Sequence, residues 1–172
     1  VAAAVQRVLD LGAETILYGH HGPVQGRELI TTELTALRDA ILYVHDETVK
    51  GMNAGVDLPT LMAEIRLPPA LEVGEGYGKV SWSVRAIWEH YAGWFKHEST
   101  TELYALPRGA VHADLIELSG GPAAIVARAQ EKIAQRQYVE ALHLLDIVLP
   151  LERQVPDAIA AAIAAHKGLL QE

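Results

Sequence analysis

The sequence contains no cysteine, which excludes both disulfide bonds and thiolate metal sites and leaves the compartment open. Basic residues are scarce as well. The chain has 14 Lys and Arg against 22 Asp and Glu, so its formal charge is −8. Because no cluster of Lys and Arg offsets this charge, nucleic acid and anionic membranes are disfavoured as partners.

Long apolar runs are also missing. No run approaches the roughly 18 residues that a membrane-spanning helix needs, and the first residues show no targeting segment. The sequence therefore predicts a soluble protein without an integral membrane segment, and it does not separate cytoplasm from periplasm. With 172 residues, the chain is long enough for one domain with a real core. The start without Met and the helical pattern at the end suggest a piece of a longer polypeptide.

Strand patterns are almost absent. One short β-type run, residues 15–18, ends in the turn Gly19-His20-His21-Gly22-Pro23, and residues 1–11 before it have a helical pattern. Because a single strand is not stable alone, its partners are expected in sequence outside this chain. Residues 1–26 are therefore predicted to be the last βα unit of an α/β domain.

From residue 27 to residue 172 the patterns are helical. A long helix that ends near Asn53 carries an apolar stripe whose members are four and three residues apart, which suits a partner helix or a second subunit. The stripe consists of Ile30, Leu34, Leu37, Ile41, Val44 and Met52. Three short amphipathic patterns between Ala123 and Leu170 allow close helix packing, as in tetratricopeptide-like helical hairpins.

The segment from Asp57 to Phe95 holds all three tryptophans and the only phenylalanine. It contains two helical patterns, of which the first can be capped by Asp57 and is stopped by Pro68-Pro69. The second places its large side chains on one face: Val80, Val84, Ile87, Trp88, Tyr91 and Phe95. A helical core is the simplest interpretation, and this face is also a candidate for subunit contact together with the stripe of the long helix.

The turn that contains His20 and His21 is the one sequence feature that indicates chemistry. A strand end followed by a glycine-flanked histidine pair places an imidazole at the carboxyl edge of a sheet, where α/β proteins build their sites. Imidazole nitrogen is a common zinc ligand. A solvated polar turn is the simpler interpretation, because a metal needs three or four ligands and the other six histidines are scattered.

Two further residues are candidates for binding. Arg38, which precedes Asp39 in the long helix, either forms an ordinary solvated pair or grips a sulfate, phosphate or carboxylate through its planar fork of donors. Tyr77 precedes a glycine, and a turn with a packed ring is the simpler interpretation there. No Ser-His-Asp arrangement, P-loop or dinucleotide fingerprint is present.

Taken together, several short motifs in order resemble the alkylsulfatases of the metallo-β-lactamase superfamily. The motifs are GHHGPVQG, RDAILYVHDETVKGMN, LPPAL, YGKVSWSVRAIWEHYAGWF and QYVEALHLLDIVL. The sequence departs from the family pattern in two places: Gly22 stands where the sulfatases commonly have Trp, and residues 96–99 replace an acidic turn that contains Asn-Pro. Both departures leave the alkyl sulfate substrate open.

The resemblance implies a fold that is mainly α. Residues 1–26 would be the remnant of a metallo-β-lactamase-like α/β sandwich, and residues 27–172 an all-helical dimerisation domain. It implies a homodimer as the assembly, a small sulfate ester as the substrate of the parent protein and two zinc ions in the parent's site. His20 matches the late zinc ligand, with His21 as the alternative, while Arg38 and Tyr77 match positions that line the sulfate pocket.

The resemblance also implies that the parent is a metal-assisted hydrolase in which zinc generates a hydroxide near neutral pH. The histidine-rich cluster that holds most of the zinc is not in this chain, so the chain alone is expected to be inactive. Two alternatives stay open. One is a non-enzymatic, tetratricopeptide-like interaction module, and the other is a hydrolase of the same superfamily that acts on another ester.

Overall fold

The structure, a computed structural model, describes residues 1–20, 22–76, 78–96, 98–151 and 155–171. It confirms the predicted, mainly α fold. The helices are α1 (Ala2–Asp10), α2 (Arg27–Asn53), α3 (Leu58–Glu64), α4 (Val80–Ala92), α5 (His112–Leu118), α6 (Pro122–Ala134), α7 (Tyr138–Val148) and α8 (Pro156–Leu169). Short turns of 3-10 helix at Pro69–Leu71, Thr100–Leu103 and Arg108–Val111 link some of them.

The chain divides into two compact units, Val1–Glu98 and Ser99–Glu172. Within the described residues, no helix is both long enough and apolar enough to cross a lipid bilayer. The division predicted between residues 26 and 27, which separates a remnant of an α/β domain from a helical domain, stays a prediction.

The first unit contains a small antiparallel sheet. Strand β1 (Thr15–Ile16) pairs with β2 (Val24–Gln25), with Thr15 opposite Gln25. The expectation that β1 finds its partner only outside this chain is therefore wrong. The sequence did not reveal β2 because a strand of two residues is too short to show the alternation of apolar and polar side chains.

Helix α2 is the central element of the first unit, and α1, α3 and α4 all pack against it. The core there combines Val44 of α2, Leu61 of α3 and Val84 of α4. Gly51 permits the close approach of α3, because a Cβ at this position would overlap the side chain of Leu61. The buried Thr48 hydroxyl donates to the carbonyl oxygen of Val44 at 2.6 Å, so burial leaves it no unsatisfied donor.

The apolar stripe of α2 is largely used inside the first unit. Ile30, Leu34 and Val44 are buried by this chain itself, and Ile41 and Met52 are partly buried. The interpretation of this stripe as a seam open to a second subunit is therefore wrong for most of its length. Periodicity reveals an apolar face but does not identify the element that covers it.

Local sequence determines where α3 begins and where α4 ends. The side chain of Asp57 caps α3 by accepting from the backbone N–H of Thr60 at 2.9 Å, as predicted. Helix α4 ends at Ala92 because Gly93 adopts a φ of 80°, which favours glycine. Phe95 therefore does not continue the apolar face of α4, contrary to the prediction.

The second unit is built on the packing of α6, α7 and α8 against one another. Its core is rich in alanine around the fully buried Leu145 and Val148 of α7. Gly168 lets α8 come close to α7, because a Cβ there would overlap the ring of Tyr138. The small side chains explain how three short helices pack closely enough to exclude water.

Candidate functional site

The turn that carries His20 connects the two strands of the small sheet. Its base is fixed by Glu14, whose backbone oxygen accepts from the N–H of Gly26 at 2.9 Å. The carboxylate of Glu14 also pairs with Arg27 at the start of α2, with 2.8 Å between Oε1 and Nη2. His20 itself is exposed beyond this anchor, and His21 lies outside the described residues. The sheet therefore presents His20 at a surface rather than in a closed pocket.

Whether these residues can hold a zinc ion depends on the number of potential ligands near the turn. Within the described residues, no group of three or more His, Asp or Glu side chains comes close enough to hold a metal. A zinc site needs three or four such ligands. The described part of this chain thus does not form a zinc site by itself.

Arg38 is held by contacts from two directions. Its Nε donates to Oδ1 of the adjacent Asp39 at 2.8 Å, and its Nη2 lies 2.7 Å from the same oxygen. From α1, Oε1 of Gln6 accepts a hydrogen bond from Nη1 at 2.6 Å, while Nε2 of Gln6 donates to Asp10 at 2.7 Å. The row Asp10–Gln6–Arg38–Asp39 fixes the plane of the guanidinium.

The Arg38 side chain is 26% exposed and still has donors to offer. A guanidinium carries five N–H groups, and the contacts to Gln6 and Asp39 use three of them. Two donors can therefore reach an anion from solvent. The arrangement allows anion binding, although the carboxylate of Asp39 already neutralises part of the charge.

Tyr77, the other predicted binding residue, lies outside the described residues. Its neighbours in sequence, Glu75, Gly78 and Lys79, line a groove of about 260 Å³. The wall formed by α2 and α4 is apolar and includes Leu37 and Ile41, which bracket Arg38 in sequence. Arg38 itself is not among the described residues that line this groove.

The sequence patterns did not reveal a second polar cluster on α2, because His45 counted only as one of six scattered histidines. Nδ1 of His45 lies 2.8 Å from Oδ1 of Asp46, and Nε2 lies 2.8 Å from the hydroxyl of Tyr91 on α4. The available sequence signal was the repeat of a basic residue followed by Asp, at 38–39 and again at 45–46. The contact to Tyr91 has no such signal, because it joins positions 46 residues apart.

Comparison with known proteins gives a consistent result. The sequence model of the family described as alkyl sulfatase dimerisation matches residues 58–171. A linear primary-alkylsulfatase of Pseudomonas sp. is 36% identical over 124 residues, which are 69% of this chain and 23% of that protein. Alkyl/aryl-sulfatase BDS1 of Saccharomyces cerevisiae is 28% identical over 129 residues, or 73% of this chain and 20% of that protein.

Solved structures extend the likeness to the fold of nearly the whole chain. The stereoselective inverting sec-alkylsulfatase Pisa1 of Pseudomonas sp. superposes with a TM-score of 0.76 at 24% identity. The superposition covers 98% of this chain and 28% of that one. The chain therefore spans about a quarter of the length of the proteins that it matches.

Proposed function

Because the chain belongs to the alkyl sulfatase dimerisation family, we propose that it is the dimerisation part of a sulfate ester hydrolase. The observation that carries the proposal is the family match over residues 58–171, since it includes α3 to α8. The names of the similar proteins, primary, secondary and alkyl/aryl sulfatases, support a sulfate ester as the substrate class. Since the chain covers only 23% of one such sulfatase, catalysis is proposed for a longer protein of which this chain would be a part.

The proposed partner is a second copy of the same chain. The family description supports a homodimer, and the buried members of the α2 stripe, Ile30, Leu34 and Val44, are not available for its contact. Analytical ultracentrifugation at micromolar concentration is the direct test. A dimer is expected, and a chain that sediments as a monomer would argue against this part of the proposal.

Arg38 is the proposed anion-binding residue of the substrate pocket, together with Tyr77. Two N–H groups of Arg38 are available to sulfate oxygens, and charge-assisted hydrogen bonds of this kind are strong. Where negative charge builds up on the sulfate during ester cleavage, the guanidinium would stabilise it. The apolar groove along α2 and α4 would accommodate the carbon chain of the ester.

His20 is the proposed zinc ligand from this chain, with His21 as the alternative. The exposed position of His20 on an anchored turn is compatible with a contact to a neighbouring part of a longer protein. The remaining ligands of two zinc ions would have to come from sequence outside this chain. We assign no reaction step to the metal, because the described residues contain no group of three or more potential ligands.

The experiment that tests this proposal uses the full-length parent with His20→Ala and a His166→Ala control in α8. Zinc content and hydrolysis of an alkyl sulfate are measured for each. We expect about two zinc ions and activity in the parent and in the control, and loss of both in His20→Ala. A metal-free parent, or an unchanged His20→Ala variant, would reduce the turn to a structural role. A parent that binds zinc but does not hydrolyse sulfate esters would indicate that its substrate is another kind of ester.

A further inference from the structure

Three side chains at the contact between α2 and α4 form a continuous hydrogen-bonded row. Asp46 contacts Nδ1 of His45, and Nε2 of His45 contacts the hydroxyl of Tyr91, with both distances 2.8 Å. The rings of His45 and Tyr91 lie with centroids 5.8 Å apart and planes tilted by 58°. Neither the proposed anion site nor the proposed zinc ligand uses any of the three.

The order of the row fixes the positions of its protons. The carboxylate of Asp46 can only accept a hydrogen bond, so the imidazole hydrogen of neutral His45 lies on Nδ1. Nε2 then presents its lone pair to Tyr91, whose O–H is the donor. A hydroxyl within reach of a base that a third group orients is the diagnostic arrangement of an assisted nucleophile.

We infer that Tyr91 is a nucleophilic site, with His45 as its general base and Asp46 as the residue that orients the base. The class of ligand is a small activated ester that delivers an acyl group. Tyr91 is 55% exposed and lies in the last turn of α4, so such an ester can reach its oxygen from solvent. The packing of α2 on α4 rests on buried side chains, Val44 and Val84, and holds the two partners in place.

The reaction balances without any further reagent. The Tyr91 oxygen bonds to the carbonyl carbon of an aryl ester while its proton passes to Nε2 of His45. The bond from the carbonyl carbon to the aryl oxygen breaks, and the leaving aryl oxide takes the proton from His45. The products are an acyl ester of Tyr91 and a free phenol, and the histidine returns to its starting state.

The test uses the 172-residue chain and 4-nitrophenyl acetate in the presence of a metal chelator. Release of nitrophenol gives the rate, and peptide mass spectrometry locates the acetyl group. We expect one acetyl group on Tyr91, a roughly 100-fold slower reaction in His45→Gln, and a roughly tenfold slower one in Asp46→Asn. Tyr104, which is 73% exposed in the other unit, serves as the control, and Tyr104→Phe should react like the unmodified 172-residue chain.

Several results would overturn the inference. These are acetylation spread evenly over the exposed tyrosines, an acetyl group that stays on His45, and an unchanged rate in His45→Gln. Circular dichroism of each variant identifies any variant that fails to fold, and the acetylation map of the unmodified sequence decides the question even then. The inference does not rest on the proposed sulfatase function, because neither a metal nor a sulfate ester takes part in the assay.

Discussion

Truncation of Leu145 to alanine tests the account of the second unit most directly. This side chain is 0% exposed in the middle of α7, and the surrounding core contains the alanines of α6 and α8. The change removes three carbon atoms, and at about 0.8 kcal/mol for each buried carbon the lost transfer free energy is about 2.4 kcal/mol. Five of the other eight buried residues in this cluster are alanines, which have no flexible side chains with which to fill the space, so a cavity term adds to this loss. We expect a total destabilisation of about 3–5 kcal/mol.

The measurement is urea denaturation of the 172-residue chain, followed by two probes. All three tryptophans lie in residues 1–98, so their fluorescence reports the first unit, while far-UV circular dichroism reports the helices of both units. The dichroism transition should shift to lower urea in Leu145→Ala. Leu118→Ala, at a position that is 83% exposed, is the control and should change the unfolding free energy by less than about 0.5 kcal/mol. A loss below about 1 kcal/mol in Leu145→Ala would refute the described packing of α6, α7 and α8.

Three further predictions concern the first unit and its proposed site. Gly51→Ala should cost about 1–3 kcal/mol of unfolding free energy, because the new methyl group overlaps a side chain of α3, whereas Gly74→Ala, in open space, should cost much less in the same urea titration. The hydrogen bonds from Thr60 hold the pKa of Asp57 below its ordinary value. The stabilisation that this carboxylate provides is therefore present above its pKa in the unfolded chain and is lost as the pH falls through its pKa in the folded chain. Between pH 6 and pH 2, the unfolding free energy of Asp57→Ala should consequently decrease less than that of the unmodified chain. In the full-length parent, Gln6→Ala should raise KM about three- to tenfold with a smaller change in kcat, because Arg38 loses one of the acceptors that orient it; equal KM values would contradict this.

The helices were predictable from sequence because each depends on neighbours three and four residues away. The 27-residue α2 shows this best, since its apolar periodicity extends over many turns. The cap of α3 by Asp57 was also predictable, whereas α3 ends at Glu64, before the predicted stop at Pro68-Pro69. The coverage of the α2 stripe by other helices was not predictable, because periodicity contains no information about the partner. The same reason hid the contact between His45 and Tyr91, which depends on how α4 lies across α2.

The candidate site was predictable only in part. The anion-binding role proposed for Arg38 comes from the resemblance and stays a prediction, and the row that orients its guanidinium includes Gln6 and Asp10 from α1, which no motif marked. The second strand of the sheet, Val24–Gln25, is similarly invisible, because two residues cannot establish a period. Local signals therefore identified the helices, and only the folded chain identified the second strand and the polar side chains that meet.

Helix α2 carries two polar pairs of the same kind, seven residues apart. Arg38 contacts Asp39 and His45 contacts Asp46, each at 2.8 Å, and a third residue from another helix completes each group. Seven residues differ from two full helical turns by only about 20°, so both pairs project in nearly the same direction, roughly 10 Å apart along the axis. Sites at this separation that share no partner usually respond independently to substitution. Arg38→Ala should consequently leave the acetylation rate of Tyr91 unchanged, and a large change would mean that the two pairs work as one site.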